Sequence, residues 1–185
     1  NILSNLTINK NTYEYEKVFI EIIENQLDSL SVHKSYNMLE HAKFINHLSE
    51  IINILLRFNK KIPKIFYVTK LKMVTILSQY FHKDGSIALF NGSHNNYLSQ
   101  IMSVLKEESN IRKVYYPEEQ NGLFFYEDKN KKIFIDAVQP TSSIHSKQLS
   151  AGTLSFEFSS HQEKIITNCG ALEKSTGNAS FLRYS

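Results

Sequence analysis

Four stretches in the first 110 residues carry apolar side chains at steps of three and four, the spacing of an amphipathic α-helix. Polar or helix-breaking residues, among them Pro63 and Gly85, separate these stretches. The predicted helices cover residues 11–28, 37–58, 66–81 and 96–107. Because each predicted helix is apolar on one side, we expect the helices to bury those sides against one another.

After residue 108 the apolar positions recur at every second residue, the period of a β-strand. Segments 122–127 and 132–137 flank a polar turn and predict a β-hairpin. Segments 154–158 and 164–167 predict a second hairpin. The chain is therefore predicted to be α+β, with helices first and an antiparallel sheet second.

One strand of the second hairpin makes a specific prediction about the sheet faces. Leu154, Phe156 and Phe158 alternate with Ser155 and Glu157. Since alternate side chains point to opposite faces, we expect the three apolar side chains to be buried and the polar ones to lie on the other face. Glu157 then either lines a cleft or faces water, and water is the simpler interpretation.

The composition is that of a globular chain with a substantial core. Hydrophobic residues make up 42% of the 185 residues, which suffices for one or two domains. The formal net charge of +3 comes with no RNA- or DNA-binding motif, so a nucleic-acid partner is not indicated. A single cysteine excludes an internal disulfide framework, and no apolar run reaches the ~18–20 residues of a transmembrane helix. The chain begins with Asn and shows no signal-peptide pattern, and we expect it to be a fragment.

Three motifs occur in order along the chain. They are residues 84–92 (DGSIALFNG), residues 151–157 (AGTLSFE) with 168–170 (NCG), and residues 181–185 (FLRYS). With these motifs the chain resembles the heparinase II/III-like polysaccharide lyases, over most of its length from about residue 20 onward. The resemblance implies that residues 1–110 are the end of an α/α toroid. It implies that residues 111–185 are the first part of a C-terminal antiparallel β-sandwich, with the boundary near 108–113.

The resemblance also implies an activity, that of a polysaccharide lyase cleaving an acidic, uronate-containing glycan by β-elimination. In this reaction a base removes the C5 proton of the uronate, a second group neutralises the adjacent carboxylate, and the leaving oxygen receives a proton. The implied partner is an acidic polysaccharide, and the implied location is the periplasm or cell envelope. The sequence does not indicate an oligomeric state.

The family places a histidine in the loop before the second helix and a Tyr–His pair in the first turn of that helix. His33 matches the loop histidine and His41 matches the histidine of the pair, whereas Glu40 occupies the tyrosine position. Tyr36, one helical turn earlier, is the candidate to replace that tyrosine as the base. Asn37 shares a helix face with His41, and Asn37 and Glu40 are candidate substrate-binding residues.

Each catalytic candidate also has a purely structural interpretation. His41 fits a partly buried histidine on the apolar side of its helix, and His33 fits a solvated loop residue. Tyr36 fits a side chain that covers the end of the apolar stripe. The sequence leaves both interpretations open at each of these positions.

The predicted sheet adds two candidate substrate-binding residues, Ser150 and Glu157. Many family members have a histidine at the position of Ser150 and an aspartate at that of Asn168, and some bind zinc there. A hydroxyl and a neutral amide are poor zinc ligands, so we expect no zinc at this pair and no cofactor. If helix and sheet residues act together, His33 or His41 should face the strand at 150–157 across a cleft.

Two other kinds of function fit the same sequence. A catalytically impaired glycan-binding or cell-envelope biogenesis protein would keep the cleft and lack the base, as Glu40, Ser150 and Asn168 allow. A plain structural domain would explain the periodicity but not the ordered motifs. An unsaturated, ultraviolet-absorbing product formed from a uronate polysaccharide distinguishes the lyase from the binder.

Overall fold

The computed structural model describes residues 12–107, 119–120, 122–138, 154–168 and 170. Four helices come first, and a five-stranded sheet with antiparallel neighbours follows in the order β1-β2-β3-β4-β5. The predicted α+β class is confirmed. The predicted domain boundary near 108–113 lies outside the described residues, and the toroid and the sandwich remain predictions.

The helices lie where the apolar spacing predicted them. They are α1 (Thr12–Gln26), α2 (Met38–Arg57), α3 (Lys64–Gln79) and α4 (Leu98–Glu107), with a 3-10 turn at Asn95–Tyr97 before α4. Helix α2 packs against α3 and α4, and the apolar sides share one core. Its fully buried side chains include Ile45, Phe66, Met73, Ile76 and Leu77. Of the helices described, none has both the length and the apolar character needed to span a bilayer.

Local sequence sets both ends of α2. The Asn37 side chain is the N-cap and accepts hydrogen bonds from the N–H groups of Leu39 at 2.8 Å and Glu40 at 3.4 Å. At the other end the helix closes at Phe58, and Asn59 adopts a left-handed φ of 50°. Asparagine tolerates this conformation, which an α-helix cannot continue through. The predicted helix at 37–58 is confirmed.

The strands form two hairpins that join into one sheet. The strands are β1 (Glu119–Gln120), β2 (Leu123–Glu127), β3 (Lys131–Asp136), β4 (Ser155–Ser160) and β5 (Glu163–Ile166). In the turn between β2 and β3, Asp128 Oδ1 accepts from the N–H groups of Asn130 at 2.7 Å and Lys131 at 2.6 Å. Both predicted hairpins are confirmed, and β3 pairs with β4 to connect them.

The sheet buries the face opposite to the one predicted for β4. Glu157 and Ser159 are 0% and 1% exposed, whereas Phe156 is 45% and Leu154 is 73% exposed. The expectation of a buried Leu154–Phe156 face is therefore wrong, and so is the expectation that Glu157 faces water. Burying polar side chains is tolerated here because they have hydrogen-bond partners in the loop that packs on them. The outer face exposes further large apolar side chains, namely Phe124, Tyr126, Ile135 and Ile166.

Residues 80–93, here called the interlayer loop, connect α3 to the turn before α4. The loop closes on itself, because Ala88 N–H donates to the carbonyl of Tyr80 at 2.9 Å and Phe81 forms a β-bridge with Ile87. Ile87 and Ala88 are fully buried. The loop hydrogen-bonds to α2 on one side and to β3 and β4 on the other. It therefore fixes the helices relative to the inner face of the sheet.

Candidate functional site

The N-terminal end of α2 brings three predicted candidates together. His33 Nδ1 lies 2.7 Å from Ser35 Oγ, and that oxygen accepts from Asn37 N–H at 3.2 Å. His41 Nδ1 accepts from His33 N–H at 3.2 Å. These hydrogen bonds connect His33 and Asn37, which precede α2, with His41 in its first turn.

His41 is enclosed by the helical core. It is 0% exposed, and its Nε2 lies 2.9 Å from the carbonyl oxygen of Met73. Since Nδ1 accepts from His33 N–H, Nε2 carries the proton and donates to Met73. Burial lowers the pKa of His41 to about 4, and this effect outweighs the Met73 hydrogen bond. His41 is therefore neutral at neutral pH and is fully buried, where its structural interpretation expected a partly buried side chain.

His33 and Tyr36 occupy the same loop with different exposure. His33 is 5% exposed, so its interpretation as a solvated loop residue is wrong. Tyr36 is half-buried, has a φ of 50° and packs against the edge of the core, as the covering interpretation predicted. Burial, the charges of Asp28 and Asp136 and a hydrogen bond to Asp28 raise the pKa of Tyr36 to about 12. The phenol is therefore protonated at neutral pH.

A chain of amide hydrogen bonds connects the start of α2 to β3. Asn37 Nδ2 donates to the carbonyl oxygen of Asn91 at 3.0 Å, and Asn91 Nδ2 donates to Asp136 Oδ2 at 3.0 Å. Burial raises the pKa of Asp136, against the hydrogen bonds from Val138 N–H and Asn91. The Asp136 carboxyl group faces the helices from the sheet, and its charge acts on Tyr36.

Glu157 forms the second connection between the sheet and the helices. Its Oε2 accepts from His82 Nε2 at 2.7 Å, and its Oε1 accepts from the N–H groups of Leu89 at 2.9 Å and Asn168 at 3.1 Å. Lys164 Nζ lies 3.7 Å from Oε2. Burial alone would raise the pKa of Glu157, but these hydrogen bonds and the Lys164 charge outweigh it, so the pKa is lowered. The carboxylate is therefore ionised, held by three hydrogen-bond donors and faced by the Lys164 charge.

The His82 ring is held from both sides. Its Nδ1 lies 2.9 Å from Ser159 Oγ, and its ring meets Phe134 edge-on with the centroids 4.8 Å apart. Ser159, His82 and Glu157 have the order of a serine–histidine–acid triad, but each is 3% exposed or less. A buried hydroxyl cannot reach a substrate, so this group is a structural connection.

The remaining predicted residues lie elsewhere or outside the described chain. Glu40 forms a surface ion pair with Lys43 at 2.7 Å. Ser150 lies outside the described residues, so its predicted role and the expected absence of zinc stay predictions. Within the ranges that the structure describes, no group of three or more His, Cys, Asp or Glu side chains could hold a metal ion. The structure connects the helix candidates to Glu157 through the interlayer loop rather than by direct contact.

Sequence reasoning missed the polar residues that make these connections, His82, Asn91 and Asp136. Two signals pointed to them. The motif at 84–92 stood out as a unit and ends in Asn91–Gly92, a pair typical of a tight turn. Asp136 follows directly after the apolar run Ile133, Phe134 and Ile135.

The sheet segment matches a known sequence family, and the fold is similar to that of solved structures. Residues 119–183 match the family described as Heparinase II/III-like, C-terminal. The heparan sulfate lyase HepC from Pedobacter heparinus gives a TM-score of 0.69 at 15% sequence identity, and a mutant of HepC gives 0.68 at 14%. The Heparinase III-BT4657 gene product, with methylated lysines, gives 0.66 at 13%. No curated protein matches the chain in sequence.

The alignments with these solved structures extend over helices and sheet alike. Each alignment covers 90% of this chain, and the chain spans about 30% of the length of each lyase. At such low identity the similarity establishes the fold. The family match rests on the sequence of the sheet segment itself, and it agrees with the motifs found along the chain. Residues 119–183 are therefore similar to the C-terminal segment of the heparinase II/III-like family.

Proposed function

We propose that this chain is part of a polysaccharide lyase that cleaves an acidic, uronate-containing glycan by β-elimination in the periplasm or cell envelope. The observation that carries the proposal is the match of residues 119–183 to the heparinase C-terminal family. The geometry supports it, because the candidate-bearing end of α2 is fixed by buried hydrogen bonds to the sheet formed by that segment.

The proton transfers of the reaction suggest roles for two residues. Tyr36 has a pKa raised to about 12, so its phenol is protonated at rest and suits proton donation to the leaving oxygen. His33 is then the candidate base, with its ring oriented by Ser35 Oγ at 2.7 Å from Nδ1. Glu40 and Ser150 remain candidates for contacting the substrate. Asn37 acts indirectly, because its amide nitrogen is bonded to Asn91 and its amide oxygen to Leu39 N–H. Glu157 acts indirectly in this proposal, because its oxygens already have protein donors.

A second candidate function is a glycan-binding protein of the same fold that lacks the elimination activity. The observation that favours it is the burial of the histidines, since His41 is 0% and His33 is 5% exposed. A base must reach the C5 proton of the substrate, and a buried ring does so only if the loop at 28–37 moves. A binding protein needs no such movement.

The test incubates the full-length protein with a panel of uronate polysaccharides and records ultraviolet absorbance from the unsaturated product. The lyase proposal predicts absorbance that increases with time, and Tyr36→Phe should reduce its rate by about 100-fold or more. Tyr67→Phe is the matched control, because Tyr67 is 50% exposed on α3 and should leave the rate unchanged. Glycan binding without absorbance on any substrate would support the binder and contradict the lyase.

A further inference from the structure

We propose that Asn91 is a positioning residue that holds the candidate-bearing end of α2 in its working place against Asp136 of the sheet. The inference rests on the proposed lyase function and extends it to the motif at 84–92. That motif belongs to the interlayer loop, and the roles proposed for His33 and Tyr36 do not involve it.

Asn91 makes one hydrogen bond to each layer. Its side-chain Nδ2 donates to Asp136 Oδ2 at 3.0 Å, and its backbone carbonyl accepts from Asn37 Nδ2 at 3.0 Å. Asn91 is 6% exposed and has a left-handed φ of 51°, followed by Gly92 at 81°. A buried amide with partners on both sides has little freedom to move without losing one of them.

The Asn37 amide connects Asn91 to the N-terminal end of α2. While Asn37 Nδ2 is held by Asn91, its Oδ1 accepts from Leu39 N–H at 2.8 Å and caps α2. Ser93 Oγ, two residues beyond Asn91, accepts from Met38 N–H at 3.4 Å. The first turn of α2 is therefore bonded to the interlayer loop at two adjacent points.

Tyr36 directly precedes the N-cap, so its position depends on that of Asn37. Displacing a reacting group by about 1 Å lowers the rate of an enzyme by on the order of 100-fold. Loss of the Asn91 side chain should therefore reduce kcat more than it changes KM.

The test replaces Asn91 by glycine in the full-length protein. Glycine accepts a φ of 51° and keeps the carbonyl that binds Asn37, so Asn91→Gly removes only the amide that reaches Asp136. Asn59→Gly is the matched control, because Asn59 also has a φ of 50° but is exposed at the end of α2. Both variants lose an asparagine side chain from a left-handed position, and only one loses an interlayer hydrogen bond.

Two readouts are compared between these variants. Hydrogen exchange measured by mass spectrometry reports on the peptide that contains the start of α2 and needs no substrate. We expect exchange at the start of α2 to be faster than in the wild-type protein for Asn91→Gly. For Asn59→Gly we expect it to be unchanged. On a cleaved glycan we expect kcat to decrease by roughly 10- to 100-fold for Asn91→Gly with a smaller change in KM. The double variant with Asp136→Ala should be no worse than Asp136→Ala alone, because both changes remove the same hydrogen bond.

The outcomes separate this proposal from the proposed function. Unchanged exchange at α2 in Asn91→Gly overturns the positioning role, whatever the activity. Faster exchange with an unchanged kcat on an active wild-type protein also overturns it. If the wild-type protein cleaves no glycan, the lyase proposal fails, and the exchange comparison alone then decides whether Asn91 holds α2.

Discussion

His82 Nε2 and Glu157 Oε2 lie 2.7 Å apart with both side chains fully buried, which joins the interlayer loop to the centre of the sheet. Such a pair is stable only where the remaining polar atoms also have partners. Here Ser159 takes the other ring nitrogen, and the N–H groups of Leu89 and Asn168 take the other carboxylate oxygen. This buried network explains why β4 turns its polar face toward the helices.

Glu157→Gln should destabilise the chain by about 3–5 kcal/mol at pH 7, because it removes the charge that His82 and Lys164 face. The pKa of Glu157 is lowered below 4.5 in the folded state, so its contribution to stability is present above pH 4.5. That contribution is lost as the pH falls through the folded pKa. The measurement is the free energy of unfolding in urea as a function of pH.

Glu163→Gln is the control for this prediction, since Glu163 is exposed on β5. It should change the free energy of unfolding by less than about 0.5 kcal/mol. A difference between Glu157→Gln and wild type that stays constant down to pH 3 would show that the carboxylate charge is not the stabilising feature.

His41 should make the chain sensitive to mild acid. Its pKa is lowered from 6.5 to about 4, so the unfolded chain binds a proton where the folded chain does not. The free energy of unfolding should therefore decrease by roughly 3 kcal/mol between pH 6.5 and 4 on account of this one residue. His41→Gln should remove that part of the pH dependence, and His47→Gln, at an exposed position on the same helix, should retain it. Equal slopes in both variants would be evidence against a buried neutral imidazole.

Gly122 should tolerate no side chain. A Cβ atom there would lie 2.9 Å from the carbonyl oxygen of Ala137 and from Val138 Cα, in addition to the strain of its φ of 96°. Gly85 has a φ of 82° with no atom within 4 Å of the same position, so Gly85→Ala isolates the strain alone. We expect Gly85→Ala to cost about 1 kcal/mol and Gly122→Ala about 1–3 kcal/mol more in thermal or urea unfolding. Equal costs would mean that β2 and the end of β3 are farther apart than described.

The helices could be predicted from the sequence because their caps and apolar stripes are features of the local sequence. Asn37 and Asn59 mark the ends of α2, and the apolar stripe between them needs no knowledge of the rest of the chain. The alternation along β4 was equally clear. Which of its faces is buried depends on His82, which contacts Glu157 from 75 residues away, and no period within the strand reports on that contact.

The candidate site was predictable only in part for the same reason. Spacing within one segment placed His33, Asn37 and His41 together at the start of α2. The partners that fix this segment, Asn91 and Asp136, come from a loop and a strand that are distant in sequence. Burial of His33 and His41 is likewise a property of the assembled core rather than of the local sequence.

Buried hydrogen bonds through the interlayer loop join the helices and the sheet into one folded unit. A double-mutant cycle with His82→Gln and Glu157→Gln, measured by the free energy of unfolding, tests it most directly. We predict a coupling energy of about 2 kcal/mol or more between the two residues. Single-variant effects that add to within about 0.5 kcal/mol would contradict the claim.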